Sequence, residues 1–279
     1  METLEYRIEL CQAAAEQLTQ YLQTLSVEAW CHPSACEAWE VRDVVAHLTW
    51  GAELYAGAIA RGMQGDTSPL EDSPPPGTLT RAELSALIAQ RSIAYRESLG
   101  EHLLATFTAR HDHLQRLLES FSPQDWEKPC AHPVGLRPAH WFLTARLTEL
   151  AMHAWDIWSR RDPTRPLFAA SVPLFLERLP GIVARNARPD TLLRAPLCYR
   201  FAVTGAVPSQ HDIVLEGDAV RMEPAGTTAA DVRCQCDTET FVLLMYGRLT
   251  PQTAVARGRL VVEGARDPMA TFGSWFTFA

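Results

Sequence analysis

A glutamate and a histidine four residues apart, Glu149 and His153, lie in a stretch over 146–158 that contains neither glycine nor proline, RLTELAMHAWDIW. On a helix this spacing puts both side chains on one face, with their β-carbons about 6 Å apart. A carboxylate and an imidazole placed in this way can bind one divalent metal ion. His47, in the upstream stretch DVVAHLTW, is the best candidate for a third ligand. Three nitrogen and oxygen ligands leave a coordination position open, which is typical of catalytic zinc sites.

Two further polar residues flank this pair. Asp156 follows His153 by three residues and can orient its imidazole ring as a hydrogen-bond acceptor. Arg146 precedes Glu149 by three residues and lies one turn back on the same face. The alternative is an ordinary surface pair, because glutamate and histidine at this spacing often form only a weak hydrogen bond. The apolar neighbours favour the metal site, since polar groups in such surroundings need partners; they are Leu147, Leu150, Ala151, Ala154 and Ile157.

Length, charge and hydropathy restrict the class of protein. A chain of 279 residues suggests two domains or one large domain. The formal charge is −8, from 25 basic and 33 acidic residues, and without a basic stripe we expect no nucleic-acid partner. We expect no secretory leader, because the first ten residues carry three glutamates. An apolar run of the roughly 20 residues that a membrane span needs is also missing, so we expect no membrane partner.

The seven cysteines are irregularly spaced and include no CxxC pair, which argues against a zinc ribbon or a redox dithiol. Their odd number and spacing fit a reduced, cytoplasmic protein. Cys234 and Cys236 lie in a predicted strand, where alternate residues face one side. We expect both to be small apolar residues on one face of that strand.

Helical periodicity dominates the first part of the chain. The spacing of apolar residues predicts amphipathic helices over 3–25 and 41–60, a third over 81–121 bent at Gly100, and a fourth that ends near Arg161. Four such helices with a polar site between them indicate a helix bundle. The loop over 64–80 is rich in proline, serine and aspartate, and 122–138 is predicted as a connecting loop whose His132 could line an entrance, as could His140 just after it.

Two further histidines, His111 and His113, fall on the third helix. Residues two apart on a helix point in nearly opposite directions, so they are poor candidates for one metal site. We expect both of them to face solvent.

The pattern changes after about residue 186, where short alternating segments replace the helical period. The result is an α+β protein of two domains: a helix bundle over 1–165, a linker helix over 166–189 and a small α+β domain over 190–279. The later predicted elements are a helix over 168–188 interrupted near Pro180, strands in LCYRFAVTG, HDIVLEGDAVRMEP and DVRCQCDTE, a helix over 239–248, a strand over 258–264 and an apolar last helix in PMATFGSWFTF.

Two segments, PSACEAWEVRDVVAHLTW and RLTELAMHAWDIW, resemble stretches of the mycothiol-dependent maleylpyruvate isomerase family, a branch of the DinB-like four-helix-bundle superfamily. HDHLQRLLESFSPQDW fits the same domain. The tail, with LEGDAVRMEP and LMYGRLTPQTAVARGRLVVEG, resembles the sterol-carrier-protein-2-like domain often fused to it. The resemblance covers nearly the whole chain.

The resemblance implies a divalent metal, usually zinc, bound by His47, Glu149 and His153. These are the pair that the four-residue spacing selects and the upstream histidine chosen as the best third ligand. It also implies a low-molecular-weight thiol, mycothiol or an equivalent, as cosubstrate. The metal would lower the pKa of this thiol, and the thiolate would attack an electrophilic small molecule. The outcome would be cis–trans isomerisation or thiol transfer. Two histidines and one glutamate also suit nickel, iron or manganese.

An anionic substrate would need cationic donors and a pocket wall. The candidate substrate-binding residues are Arg146 and Trp50 near the metal ligands and Arg248 in the second domain. The alternative for each of them is a structural role as a surface arginine or a core aromatic residue.

Two other functions remain open from the sequence. A metal-dependent hydrolase that activates water would use the same three ligands without any thiol. A non-enzymatic protein would bind a small molecule or lipid in its C-terminal domain, and the metal would only stabilise the helix bundle. Phe272 and the other aromatic residues of the predicted last helix favour this second alternative, although they also suit ordinary core packing.

Overall fold

The computed structural model describes residues 3–36, 38–69, 74, 78–186, 196–217, 219–264 and 272. The chain forms two compact units, Met1–Ser171 and Val172–Ala279. The predicted apolar last helix lies outside the described residues except for Phe272, as does much of the predicted loop over 64–80. Among the described residues, no helix is both long and apolar enough to cross a membrane.

The first unit is built from helices, as the sequence predicts. Single-turn 3-10 helices lie at Glu28–Cys31, Gly100–His102, Asp125–Glu127 and Ala169–Ser171. The α-helices are α1 (Leu4–Gln23), α2 (Val41–Met63), α3 (Arg81–Leu99), α4 (Leu103–Glu119) and α5 (Ala139–Trp158).

Local side-chain hydrogen bonds fix where these helices begin. Glu40 and Asp43 form a capping box at the start of α2, and the Asp43 carboxylate also accepts a hydrogen bond from Arg96 of α3 at 2.8 Å. Thr80 and Glu83 form a second capping box at the start of α3. The predicted bend at Gly100 is a break between α3 and α4, because that glycine adopts φ +51°.

Four of the helices make the bundle, and α3 packs outside it. Each bundle helix contacts two neighbours: α1 and α2 both pack against α4 and α5. α5 is buried along nearly its whole length, whereas α2 buries one broad face. The polar residues predicted to bind metal therefore lie on two adjacent helices of the bundle, α2 and α5.

Two details of the first unit differ from the sequence-based expectation. His111 is buried at 3% exposure, and the prediction that it faces solvent is wrong; its Nε2 lies 3.1 Å from Gln12 Oε1 because α4 turns this residue toward α1. His113 is exposed, as expected. The predicted connecting loop over 122–138 contains a small hairpin of β1 (Pro129–Cys130) and β2 (Arg137–Pro138), which packs against α2 and α5.

The second unit combines a sheet with helices, which confirms the α+β class. Its sheet has the order β5-β4-β3-β6-β7, and β3 and β6 run parallel while the other neighbours are antiparallel. Its elements are α6 (Val172–Asn186), β3 (Leu197–Thr204), β4 (Ser209–Glu216), β5 (Ala219–Pro224), β6 (Val232–Asp237), α7 (Thr238–Met245), α8 (Pro251–Ala256) and β7 (Leu260–Gly264).

Alternation along the strands builds the core of this unit. Cys234 and Cys236 lie on one face of β6, as predicted, and both are buried, while the alternating residues Arg233 and Gln235 are exposed. α7 packs on β3 and β6 and is almost fully buried. Pro180 does not interrupt α6, in contrast to the prediction, and the short helix α8 is an element that the sequence analysis did not predict.

Candidate metal centre

His47, Glu149 and His153 meet between α2 and α5. The Nε2 atom of His47 lies 3.1 Å from Glu149 Oε2, and the Nε2 atom of His153 lies 3.3 Å from the same oxygen. The two imidazole rings have centroids 5.0 Å apart and are nearly perpendicular. Both histidines therefore direct the same type of ring nitrogen at one carboxylate oxygen.

This trio is open to solvent on one side. Glu149 has 41% of its side chain exposed, whereas His47 and His153 have 16% and 11%. Burial raises the pKa of Glu149, but its hydrogen bonds with His153 and His47 outweigh this effect and hold the pKa well below its usual range. Glu149 is therefore ionised at neutral pH, as a metal ligand must be.

His153 is oriented by a buried carboxylate. Its Nδ1 lies 2.9 Å from Asp156 Oδ2, and Asp156 is fully buried. Burial lowers the pKa of His153, yet hydrogen bonds with Asp156, Cys36 and Glu149 outweigh it and leave the pKa well above its usual value. A carboxylate on Nδ1 is the usual partner of a histidine that binds metal through Nε2.

His47 is held differently. Its Nδ1 atom is buried and has no hydrogen-bond partner in the part of the chain that the structure describes. Its ring packs instead against the indole of Trp39, with centroids 5.2 Å apart. Burial lowers the pKa of His47 despite the hydrogen bond with Glu149. A lowered pKa keeps the imidazole neutral and able to bind a cation.

Trp39 is a residue of the site that the sequence analysis missed. Its ring is tilted against that of His47 and stacked on that of His153 at 6.4 Å. The loop over 33–40 carries it, closed by a bridge between Pro33 and Glu40. The tryptophan lies in the quoted segment PSACEAWEVRDVVAHLTW, yet helical periodicity cannot detect a contact made by a loop.

Cys36 is a second missed residue in the same loop. Its Sγ atom lies 3.0 Å from Asp156 Oδ2 and 3.6 Å from His153 Nδ1. Asp156 therefore accepts hydrogen bonds from two side chains of the site on one oxygen atom. Like the other described cysteines, Cys36 is not in a disulfide.

The three predicted substrate-binding residues have different surroundings, and their role in substrate binding stays a prediction. Arg146 is 1% exposed and donates from Nη1 to the Leu48 carbonyl oxygen at 2.7 Å. Trp50 is half-buried, with the Arg91 guanidinium 5.9 Å from its ring centroid. Arg248 belongs to the second unit, where its Nη1 donates to the Tyr246 carbonyl oxygen at 3.4 Å.

The donor set fits a divalent cation. One ligand atom from each of His47, Glu149 and His153 can be chosen so that all lie within 4.8 Å of one another, and a second group of this kind is Cys36, His153 and Asp156. Two imidazole nitrogens and one carboxylate oxygen form a ligand set of catalytic zinc sites, and they also suit other divalent metals. The first group is the better site, because its ligand atoms converge where Glu149 opens to solvent.

Comparisons with known proteins agree with this architecture. The family model described as the mycothiol maleylpyruvate isomerase N-terminal domain matches residues 11–158, and that of the SCP-2 sterol transfer family matches residues 176–271. A comparison with curated proteins found no matching sequence.

Two solved structures are similar along most of their length. The crystal structure of mycothiol-dependent maleylpyruvate isomerase is 16% identical, with a TM-score of 0.64, covering 90% of this chain and 91% of that one. The crystal structure of a mutant of that enzyme is 15% identical, with the same TM-score, covering 89% and 90%. At such identities the likeness concerns the fold. The helical unit and the sheet unit together, with the family model over more than half of the sequence, show that this chain belongs to the mycothiol-dependent maleylpyruvate isomerase family.

Proposed function

We propose that this protein is a metal-dependent enzyme that uses a low-molecular-weight thiol to attack an electrophilic small molecule. The metal is a divalent ion, zinc in the first instance, held by His47, Glu149 and His153. The reaction is cis–trans isomerisation of a maleylpyruvate-type double bond or transfer of the thiol to an electrophilic carbon.

One observation carries the proposal: two ring nitrogens converge on one carboxylate oxygen at 3.1 and 3.3 Å, beside solvent. A hydrogen-bonded pair with a purely structural role would need only one histidine beside Glu149. Because both imidazoles come from different helices and share one ionised carboxylate, the arrangement suits a cation better than a proton. Family membership supports the thiol, since the matching family model is named for a mycothiol enzyme.

The chain's own residues divide the work. His47, Glu149 and His153 would hold a divalent ion, and such an ion would lower the pKa of a coordinating thiol so that the nucleophilic thiolate is available at neutral pH. Asp156 accepts a hydrogen bond from the Nδ1–H group of His153, which keeps the proton on Nδ1 and leaves the Nε2 lone pair available for the metal. Trp39 covers both imidazole rings and limits the approach of water from that side. The exposed side of Glu149 leaves room for the thiol and its target.

The experiment is metal analysis of the purified protein beside His47→Ala and Glu149→Ala variants. We expect about one equivalent of metal in the wild type and loss of it in both variants, because two remaining ligands rarely hold an ion. His113→Ala is the matched control, since this histidine is exposed on α4 and outside the trio. A wild type that takes up no metal, or variants that keep it, would refute the proposed site.

A second measurement separates thiol chemistry from hydrolysis. The protein is loaded with cobalt, and a low-molecular-weight thiol is titrated while the visible spectrum is recorded. We expect a thiol-to-cobalt charge-transfer band and turnover of an electrophile only when thiol is present. Turnover of an ester or amide without added thiol would favour the hydrolase instead.

A further inference from the structure

The loop over 33–40, described except for residue 37, is held to the end of α5 by a main-chain hydrogen bond and is braced internally by the Ser34 side chain. The Ala35 amide donates to the Asp156 carbonyl oxygen at 2.8 Å. Ser34, itself buried, accepts from the Cys36 amide at 3.1 Å and donates to the Trp39 carbonyl oxygen at 2.9 Å. Cys36 is therefore held beside the carboxylate by its own backbone.

The proton positions follow from these distances. Asp156 Oδ2 is 2.9 Å from His153 Nδ1 and 3.0 Å from Cys36 Sγ, while the sulfur and the ring nitrogen are 3.6 Å apart. Asp156 has no exposed surface, so a thiolate beside its carboxylate would place two like charges together without water. The consistent arrangement has the thiol donating to Asp156 and the imidazole donating from Nδ1 to the same oxygen.

We propose that Cys36 is a positioning residue of the metal centre, acting through Asp156 on His153. Its thiol holds the carboxylate at the angle that accepts a hydrogen bond from Nδ1–H, and this favours the tautomer in which Nε2, which faces Glu149, carries no proton. The inference rests on the proposed metal site, and it assigns to the cysteine neither metal binding nor nucleophilic attack.

The alternative is that Cys36 binds the metal, because Cys36, His153 and Asp156 also form a compact group. The two roles differ in what serine can replace. A serine hydroxyl still donates a hydrogen bond to the carboxylate, whereas it is a poor substitute for a thiolate ligand.

The test compares zinc affinity, by competition with a chromophoric chelator, in the wild type, Cys36→Ala and Cys36→Ser. We expect Cys36→Ala to weaken binding about tenfold, the size of one hydrogen bond to a charged group. Cys36→Ser should stay within about threefold of the wild type, because the donor is kept. Cys31→Ala is the matched control, since this cysteine is exposed at the end of a 3-10 helix.

A double-mutant cycle with Asp156→Asn tests whether Cys36 affects zinc affinity through Asp156. If Cys36 acts through Asp156, the loss caused by Cys36→Ala should shrink to within twofold in the Asp156→Asn background. Circular dichroism of the metal-free proteins checks that each variant folds. If Cys36→Ala fails to fold, Cys36→Val takes its place, because valine keeps a similar side-chain volume without the hydrogen-bond donor.

The outcomes distinguish the possible failures. Without added low-molecular-weight thiol, the cobalt-loaded protein should show no sulfur-to-cobalt charge-transfer band. A band that is present in the wild type and disappears in Cys36→Ser would make Cys36 a ligand and overturn the inference. Equal zinc affinity in all Cys36 variants would also overturn it while leaving the metal site intact. A wild type that binds no zinc would instead refute the proposed function itself.

Discussion

The guanidinium of Arg146 on α5 donates to the main-chain carbonyl oxygen of Leu48 on α2, 2.7 Å away in the bundle interior. Leu48 directly follows the candidate ligand His47, and Arg146 lies one turn from the candidate ligand Glu149. This hydrogen bond therefore links the two helical turns that carry the candidate ligands. The Nε and Nη2 atoms of Arg146 are buried and have no hydrogen-bond partner among the described residues.

We predict that Arg146→Ala lowers the free energy of unfolding by about 3 kcal/mol, because it leaves a cavity in the bundle. Arg146→Met fills similar space without a buried charge and should be within about 1 kcal/mol of the wild type, or more stable. Urea denaturation of the metal-free proteins measures both. Equal destabilisation by the two variants would contradict this account.

The predicted substrate-binding role of Arg146 is tested on the same methionine variant. If Arg146 contacts an anionic substrate, KM should rise while metal content stays unchanged. An unchanged KM would restrict Arg146 to its structural role in the bundle.

Metal uptake should release protons near neutral pH. His153 has a raised pKa and is therefore protonated in the metal-free protein, whereas Glu149 has a lowered pKa and carries no proton to lose. We expect release of about one proton per metal ion, and an apparent affinity that increases as pH rises through the neutral range towards the raised pKa of His153. Calorimetry in two buffers of different ionisation enthalpy counts the protons. Binding that is independent of pH between 6 and 8 would contradict the prediction.

Burial of His111 should make the helical unit sensitive to acid. Burial lowers the pKa of His111 to about 3, whereas in the unfolded chain it is about 6.5. Because the unfolded chain binds the proton first, stability is lost as pH falls from about 6.5 towards 3, by up to about 1.4 kcal/mol per pH unit. His111→Gln should remove this slope, and His113→Gln, at an exposed position of α4, should not. Denaturation midpoints between pH 4 and 7 provide the comparison.

Two glycines of α2 form a matched pair. A β-carbon on Gly62 would lie 2.5 Å from Cys130 Sγ and 2.8 Å from the Pro129 carbonyl oxygen, whereas one on Gly57 would meet nothing within 4 Å. Gly57→Ala should stabilise the protein by up to about 1 kcal/mol through helix propensity. Gly62→Ala should destabilise it by about 1–3 kcal/mol, because β1 packs too closely against α2. Thermal melts of the two variants should shift in opposite directions, and a shared direction would contradict the contact.

The loop over 33–40 has a backbone feature that can be tested directly. Ala38 adopts φ +64°, the left-handed region that costs a residue with a β-carbon about 1 kcal/mol. Ala38→Gly should therefore raise the melting temperature slightly, since glycine enters this region without the steric cost. A lower melting temperature would mean that the entropy lost on ordering glycine outweighs the relief.

The sequence alone determined those features that depend on local periodicity. The four-residue spacing of Glu149 and His153 predicts one helical face, and the structure places both on α5, with His153 buried and Glu149 partly open. The alternation in DVRCQC likewise predicts a strand with both cysteines on one face, and in β6 both are buried. The α+β class follows from the same patterns, because helices of period 3.6 and strands of period 2 can be recognised without knowledge of contacts. The family resemblance rests on particular sequence segments, such as RLTELAMHAWDIW.

Tertiary structure decided what is distant along the chain. His47 meets Glu149 across 102 residues, and Cys36 meets Asp156 across 120. His47 was a candidate as a histidine on an upstream amphipathic helix, but only the packing of α2 on α5 brings it to the carboxylate. The positions of Cys36 and Trp39 depend on a loop whose course is set by non-local hydrogen bonds, and the burial of His111 depends on which face of α4 meets α1. These long-range contacts leave no periodic pattern in the sequence, because they depend on how the helices pack together and not on how each helix forms.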